Sequence, residues 1–205
     1  MKSIYVALTC RKCGYQTHKQ SETLILSDFE PYFKNQFMQE TYFSAICPCC
    51  KNKIDFLHPC LFVEKKYQYI LFIKAKQDQK TTDHLLYKDK LYRKRYVDDV
   101  SKIKEIIKIL EDGYDDRVIM LMKLKLFLYL RKQEKTPISI FYYDSDKMNS
   151  SIWFRIETKD GDEMMAVHMN TYKDICSILP AEDYEHYHNI DVAWAINFQK
   201  NFSGK

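Results

Sequence analysis

The chain has little glycine and little proline, with 4 Gly and 5 Pro among 205 residues. Long disordered linkers are usually rich in such residues, so we expect none here. The sequence also lacks a glycine-rich phosphate loop, a His-Glu-x-x-His helix and a nucleophile elbow. The common signatures of nucleotide binding, zinc-dependent proteolysis and serine hydrolysis are therefore missing.

A long apolar run is missing as well. The longest run, residues 118–130, is interrupted by Lys123 and Lys125, and it is well below the ~20 residues that a membrane-spanning helix needs. Residues 4–8 are apolar but too few for the core of an export signal. We therefore expect a cytoplasmic protein with no membrane contact. In that reducing compartment, paired cysteines indicate metal binding more than disulfides.

The composition is that of an ordinary folded domain, with 46% hydrophobic and 29% charged residues. Aromatic residues reach 15%, which suits half-buried strands and helix faces. The formal net charge is only +4. Ordinary surface charge explains this value better than a dedicated nucleic-acid domain does.

In the first part of the sequence, apolar and polar residues alternate as they do in strands, and one helix is predicted between these strands. Strands are predicted over residues 3–9, 15–26, 41–46, 53–57, 60–64 and 67–74. The helix is predicted over residues 28–40, with Asp28 as its cap and Pro31 in its first turn. These elements predict a first domain over residues 1–75.

The composition then becomes polar and basic, which predicts a domain boundary and a second domain over residues 76–205. Apolar spacing predicts a helical hairpin over about 98–133, with Gly113 between its helices. Three short strands are predicted within about 136–169, followed by C-terminal helices. The predicted fold class is α+β.

Two Cys-x-x-Cys turns carry the clearest chemical signal. They place Cys10, Cys13, Cys47 and Cys50 in two turns flanked by strands. Two residues between cysteines let both thiolates reach one ion, and two such turns complete a tetrahedral zinc site. Iron in a rubredoxin-like site and free or redox-active thiols are the alternatives. Because four thiolates leave no coordination position open, we expect one structural Zn²⁺.

The other cysteines and two histidines are weaker candidates. Cys49 is predicted to fill the variable position of its turn rather than to replace a ligand, and Cys60 and Cys176 are predicted to be small core residues. His18 and His58 could donate to a thiolate from outside the ligand set, but ordinary strand positions are the favoured interpretation.

The turn Cys47-Pro48-Cys49-Cys50 resembles the motif of the CpXC-domain proteins, a family of bacteria and archaea named for two Cys-Pro-x-Cys motifs. The first turn departs from the motif at Arg11, where the family usually has Pro; since proline ligates nothing, this leaves the metal site intact. The resemblance extends through residues 58–73 and 111–117 and covers about residues 5–130. It implies zinc and a ribbon-like fold, and it carries no activity with it. The helix predicted over residues 28–40 fills the long gap between the two turns, which fits a ribbon with an insertion.

Carboxylates surround the predicted helical hairpin, at Asp98, Asp99, Asp112, Asp115 and Asp116. A hydrolytic enzyme could use such groups as metal ligands or as acids and bases. Helix capping is the simpler interpretation, because aspartate at a helix start accepts hydrogen bonds from free amides. Capping is favoured, and the enzyme is kept as the alternative function.

A basic strip alternates with tyrosines between the two predicted domains. Its cationic residues are Lys88, Lys90, Arg93, Lys94 and Arg95. Such a strip could follow a phosphate backbone and stack on bases. A solvated linker or a protected edge strand is the favoured interpretation.

The leading hypothesis for function is a binding or adaptor protein whose zinc domain presents a rigid surface to a protein or to nucleic acid. A purely structural role in an assembly is a third hypothesis, and the sequence sets no oligomeric state.

Overall fold

The computed structural model describes residues 3–74 and 91–203. Within these residues the fold is mixed α+β, with five helices and several small sheets. The chain divides into two compact units. The first contains the described residues up to Lys104 together with Glu182–His188, and the second contains Glu105–Ala181 together with the described residues from Asn189 onward. The boundary predicted after residue 75 falls in residues 75–90, outside the described ones.

The first unit is built mainly from short strands. In chain order its elements are β1 (Ser3–Thr9), β2 (Gln16–Glu22), β3 (Leu24–Leu26), α1 (Pro31–Met38), β4 (Ser44–Ile46), β5 (Lys53–Asp55), β6 (Cys60–Glu64), β7 (Tyr69–Ile73) and β8 (Arg93–Val97). β1 and β2 form one antiparallel hairpin, and β4 and β5 form another. Each hairpin frames one of the two Cys-x-x-Cys turns.

A four-stranded sheet in the order β3-β6-β7-β8 forms the rest of this unit. Only β6 and β7 run antiparallel to each other, whereas β3 and β8 pair with them in parallel. Every residue of β6 and β7 is buried. This burial explains their nearly continuous apolar sequences, since a strand covered on both faces loses the alternation of a half-exposed one.

Helix α1 lies between the two hairpins in the chain. Pro31 occupies its first turn as predicted, but the cap residue is Glu30 rather than Asp28, and it caps without a side-chain hydrogen bond. Phe37 anchors the helix, because its buried ring lies 4.7 Å from the ring of Tyr42 and 5.1 Å from that of Phe62. Aromatic contacts at these distances stabilise the helix on the sheet.

Strand β8 contains the second half of the basic strip, and the structure buries most of it. Lys94 and Arg95 are 1% and 0% exposed. The Arg95 guanidinium forms two hydrogen bonds to the Glu182 carboxylate, at 2.8 and 3.0 Å. The ammonium of Lys94 donates to the carbonyl of Tyr184. These partners belong to Glu182–His188, which runs beside β8 through a bridge between Arg95 and His188.

The second unit contains most of a helical hairpin, from Glu105 onward, with an antiparallel sheet and two C-terminal helices. In chain order the elements that follow β8 are α2 (Val100–Glu111), α3 (Asp116–Lys132), β9 (Ser139–Asp146), β10 (Ser151–Thr158), β11 (Gly161–His168), α4 (Met169–Ile178) and α5 (Val192–Ser203). Gly113 takes a φ of 84° between α2 and α3, as a residue that ends a helix often does. The two predicted helices and the three predicted strands are therefore all present.

The core of this unit lies between α3 and one face of the sheet β11-β10-β9. Val118, Ile119 and Met122 of α3 pack with Ile152 and Phe154 of β10, and none of these is more than 1% exposed. Within residues 3–74 and 91–203, no helix combines the length and the apolar character that a membrane crossing requires.

The buried ion pair between Arg95 and Glu182 leads to a first prediction. Glu182→Gln removes the charge that compensates a fully buried guanidinium, which should cost about 3 kcal/mol or more. Amide hydrogen exchange in β7 and β8, followed by mass spectrometry, should show correspondingly faster opening. Glu40→Gln is the control, because Glu40 and Lys104 form a half-exposed pair at 3.6 Å in the same unit. The control change should cost less than about 1 kcal/mol. Equal protection in the two variants would contradict the prediction.

Candidate metal centre

The tips of the two hairpins bring four thiols together. The Sγ atoms of Cys10, Cys13, Cys47 and Cys50 all lie within 4.8 Å of one another. The Cys10–Cys50 and Cys13–Cys47 sulfur pairs are both 3.6 Å apart. Four sulfurs at ~2.3 Å from one tetrahedral ion would be separated by about 3.8 Å, so this donor set fits such an ion. The 3.6 Å separations exclude disulfides, whose sulfurs lie about 2.05 Å apart.

The two turns use the same backbone hydrogen bonds. In the first, the amide of Cys10 donates to the carbonyl of Tyr15 at 2.9 Å, and the amide of Gly14 donates to the carbonyl of Cys10 at 2.8 Å. The bonds of the second turn, from Cys47 to Asn52 and from Lys51 to Cys47, measure 2.9 and 3.0 Å. The repeated pattern shows that each hairpin presents its pair of thiols in the same way.

Both turns also need a residue in the left-handed conformation, directly after Cys13 in the first turn and after Cys50 in the second. Gly14 has a φ of 71° and Lys51, at the equivalent position, has a φ of 59°. Glycine adopts this conformation without a steric penalty, whereas a residue with a Cβ does not. Gly14 is thus the favourable choice, and Lys51 is held there by the structure around it.

Amide groups in the turns favour the thiolate form at two of the four cysteines. The amide of Cys13 donates to Cys10 and lowers the pKa of that thiol to about 6. The amide of Cys50 similarly lowers the pKa of Cys47. The pKa values of Cys13 and Cys50 are raised instead: backbone hydrogen bonding lowers them, but burial and neighbouring thiols outweigh it. A metal ion would displace the protons that remain, since it binds cysteine as thiolate.

Lys19 joins the two hairpins. Its ammonium donates to the carbonyls of Tyr42 and Ser44, both at 2.6 Å, and lies 5.2 Å from the ring centre of Phe56. Burial lowers the pKa of this amine. No sequence motif singles out this residue, although the alternation of β2 places it on the same side as Ser21, which is buried. A lysine at an inward-facing position of a strand is the signal that could have revealed it.

His58 takes part in a buried hydrogen-bond chain and does not serve the thiols. Its Nε2 lies 2.7 Å from the hydroxyl of Ser21, and its Nδ1 lies 3.0 Å from the carbonyl of Pro59. The Ser21 hydroxyl in turn lies 3.0 Å from that of Tyr42. Burial lowers the pKa of His58, so the neutral ring is favoured. His18 is exposed on β2. Both histidines are therefore strand or loop residues, as favoured from the sequence.

The three remaining cysteines differ from one another. Cys49 is exposed and stays outside the four-thiol group, in the variable position of its turn. Cys60 is fully buried, as predicted, and burial raises the pKa of its thiol. The prediction of a core position was wrong for Cys176, which is exposed. Its neighbour Ile175 holds the inward position of α4, and one residue along a helix rotates the side chain away from the core.

The carboxylates of the predicted hairpin act locally. Asp99 accepts hydrogen bonds from the amide and hydroxyl of Ser101 at the start of α2. Asp115 caps α3 by accepting from the amide of Arg117, and it also pairs with the guanidinium of that residue. Asp98 pairs with Lys102, Asp112 accepts from the hydroxyl of Tyr142, and Asp116 is buried. Within the described part of the chain, the four cysteines are the only group of three or more acidic, histidine or cysteine residues arranged to hold a metal.

The basic strip does not form one exposed surface in the part that the structure describes. Lys88 and Lys90 lie outside the described residues. Arg93 is half-buried, with its Nε 3.5 Å from a Glu182 oxygen. Lys94 and Arg95 are buried, as described above, so their charges serve the interior of the first unit.

Comparison with models of known protein families identifies a family for this chain. The model of the family described as CpXC protein matches residues 8–123, which is more than half of the chain and includes both Cys-x-x-Cys turns. Neither the curated proteins nor the solved structures provide a significant match. The resemblance inferred from the sequence is therefore confirmed.

The left-handed residues after the two turns allow a matched test. Gly14→Ala adds a Cβ at a φ of 71°, where the added atom meets no neighbour within 4 Å, so the cost is backbone strain alone. We expect the affinity for an added metal ion such as Zn²⁺, measured by competition with a chelator, to fall about fivefold for a strain of about 1 kcal/mol. Lys51 already carries a Cβ, so Lys51→Ala adds no backbone strain and should leave the affinity unchanged. Equal effects of the two substitutions would contradict the prediction, because backbone strain at residue 14 would then not set the affinity.

Lys19 allows a second test in this region. Lys19→Met keeps a long apolar stem but leaves the carbonyls of Tyr42 and Ser44 without their donor, which should cost about 1–3 kcal/mol. A chelator should consequently remove the metal faster, because the hairpins separate more easily. Lys12→Met is the control, since Lys12 is exposed in the first turn. Unchanged removal rates in Lys19→Met would show that this lysine does not hold the hairpins together.

Proposed function

We propose that this chain, which belongs to the CpXC protein family, is a zinc-dependent binding protein. In this proposal one structural Zn²⁺ holds the two hairpins together as a ribbon, with α1 inserted between them. The ribbon presents a rigid surface to a macromolecular partner.

The observation that carries the proposal is the set of four thiols supplied by two equivalent turns. Four protein sulfurs complete a tetrahedral coordination sphere, so water and substrate have no position on the ion. Such a site contributes to folding rather than to chemistry, and the free energy of binding the ion becomes free energy of folding. We prefer zinc to iron because zinc has no redox chemistry, and tetrahedral coordination by four cysteines is typical of structural zinc sites.

A binding role is preferred to hydrolysis because of where the carboxylates lie. Asp99 and Asp115 cap helices, and Asp112 accepts from a tyrosine hydroxyl. Each of these groups is thus engaged in local structure that a metal-dependent hydrolase would have to give up. All seven cysteines are free thiols, which suits the reducing cytoplasm that we propose as the location.

The metal site can be tested with paired cysteine variants. The purified protein should contain one zinc per chain by elemental analysis, and Co²⁺ substitution should give the sulfur-to-metal charge-transfer absorption of a tetrathiolate site. Cys10→Ser and Cys50→Ser should each lose the metal and destabilise the hairpins. Cys49→Ser, one residue away in the same turn, should keep both the metal and the stability.

Three results would contradict this assignment. Zinc retained in both Cys10→Ser and Cys50→Ser would exclude the proposed ligand set. Metal loss in Cys49→Ser would show that the variable position ligates. A red protein that shows iron absorption and contains no zinc would mean that the metal is iron, while the four ligands would remain as proposed.

A further inference from the structure

The metal-binding end of the first unit carries exposed cations. Arg11 and Lys12 lie between the first two cysteines, and Lys51 follows the last one. All three side chains are exposed, and none forms an ion pair with another described residue. Lys53, the next cation along the second hairpin, pairs with the exposed Asp55 at 3.0 Å.

The four-thiol cluster brings these charges together. Since the four sulfurs lie within 4.8 Å of one another, the turns that carry Arg11, Lys12 and Lys51 surround the same point. A zinc ion with four thiolates would carry a net charge of about −2. Two of the four ligands, Cys10 and Cys47, are buried, whereas the three cations are all exposed and outnumber that charge.

Acidic residues are almost missing from the two hairpins. The sequence has no Asp or Glu in residues 3–21 or 41–54. The carboxylates that border these stretches are Glu40, paired with Lys104 at 3.6 Å, Asp55, paired with Lys53, and Glu22, which is buried and accepts from the Ser3 hydroxyl at 2.6 Å. The positive field at the tips of the hairpins is thus not cancelled by neighbouring carboxylates.

Beside these cations lies an uncharged sheet face with exposed aromatic rings. Three cross-strand pairs on the outer face of β1 and β2 are exposed: Tyr5 with Gln20, Ala7 with His18, and Thr9 with Gln16. The fourth pair joins Ser3 to Glu22, which is buried. The side chain of Tyr5 is 74% exposed, and that of Tyr15, directly after the first turn, is 46% exposed. Amide, hydroxyl and imidazole groups next to exposed tyrosines provide both hydrogen bonds and stacking surfaces.

We infer that this end of the molecule binds single-stranded nucleic acid, with Arg11, Lys12 and Lys51 contacting phosphates and Tyr5 and Tyr15 stacking on bases. The inference rests on the proposed function, because zinc holds the two turns side by side. It assigns the nucleic-acid contact to the hairpins rather than to the basic strip of residues 88–95. An acidic protein partner fits less well, since the core of a protein interface is mostly apolar and this face is mostly polar.

The test is fluorescence anisotropy with labelled single strands of RNA and DNA of about 15 nucleotides, over a salt series. A 15-base-pair duplex and poly-glutamate serve as competitors. We expect single strands to bind with an affinity that falls as salt rises. The combined change Arg11→Gln, Lys12→Gln and Lys51→Gln should weaken binding at least tenfold and reduce the slope of log affinity against log salt by about 2. Comparing RNA with DNA shows which strand the site prefers.

The controls distinguish the position of the removed charges from their number, and a loss of binding from a loss of folding. Lys132→Gln, Lys147→Gln and Lys159→Gln together remove the same charge from exposed positions of the second unit and should leave binding unchanged. Tyr5→Ala with Tyr15→Ala should weaken binding at least about thirtyfold at an unchanged salt slope, since each stacked base contributes about 1 kcal/mol or more. Zinc content is measured for every variant. A variant that keeps its zinc but loses binding has lost contacts of this surface, whereas a variant that loses its zinc reports on the metal site.

Several outcomes would overturn the inference. These are no binding at low salt, equal binding by the hairpin and control triple variants, stronger competition by duplex than by single strand, and full displacement by poly-glutamate at equal charge. The last result would identify an acidic protein as the better partner.

Discussion

The convergence of four thiols is the constraint on which the first unit depends. β1–β2 and β4–β5 are short hairpins with few apolar contacts of their own, and their shared apolar cluster consists of Leu8, Cys10, Cys47 and Ile54. Two of these four residues are themselves metal-ligand candidates, so the cluster and the site form together. Isolated two-stranded hairpins are marginal in water. A metal ion bound at their tips, together with Lys19 between their strands, would explain how so small an apolar cluster is sufficient.

A second constraint acts at the other edge of this unit. Arg95 is fully buried, and such a charge is tolerated only with a compensating partner and satisfied hydrogen bonds. Glu182 provides both, although it lies 87 residues further along the chain. The pair explains why Glu182–His188 belongs to the first unit while the residues on either side of it belong to the second. The same pair turns a run of basic residues from an apparent surface feature into an interior one.

These two constraints give the binding hypothesis its present form. The charges of Lys94 and Arg95 are used inside the first unit, whereas those of Arg11, Lys12 and Lys51 remain in solvent at the metal-binding end. The carboxylates around α2 and α3 are used to begin helices and to pair with neighbouring bases. If the four thiols hold an ion, its coordination is complete and leaves no position for a reacting substrate, so this arrangement favours recognition over catalysis.

The sequence by itself determined the features that depend on residues close together in the chain. The spacing of the cysteines identified the four thiols that meet, the apolar periods located α2, α3 and the strands β9 to β11, and the cysteine turns identified the family. Only the tertiary structure decided which charges face water. Whether Arg95, Lys19 or Cys176 is buried depends on residues distant in sequence or on a rotation of one position along a helix, and local pattern contains neither. The physical reason is that hydrogen bonding and periodicity act over a few residues, whereas the burial of a charge is settled by a partner that the fold brings from elsewhere.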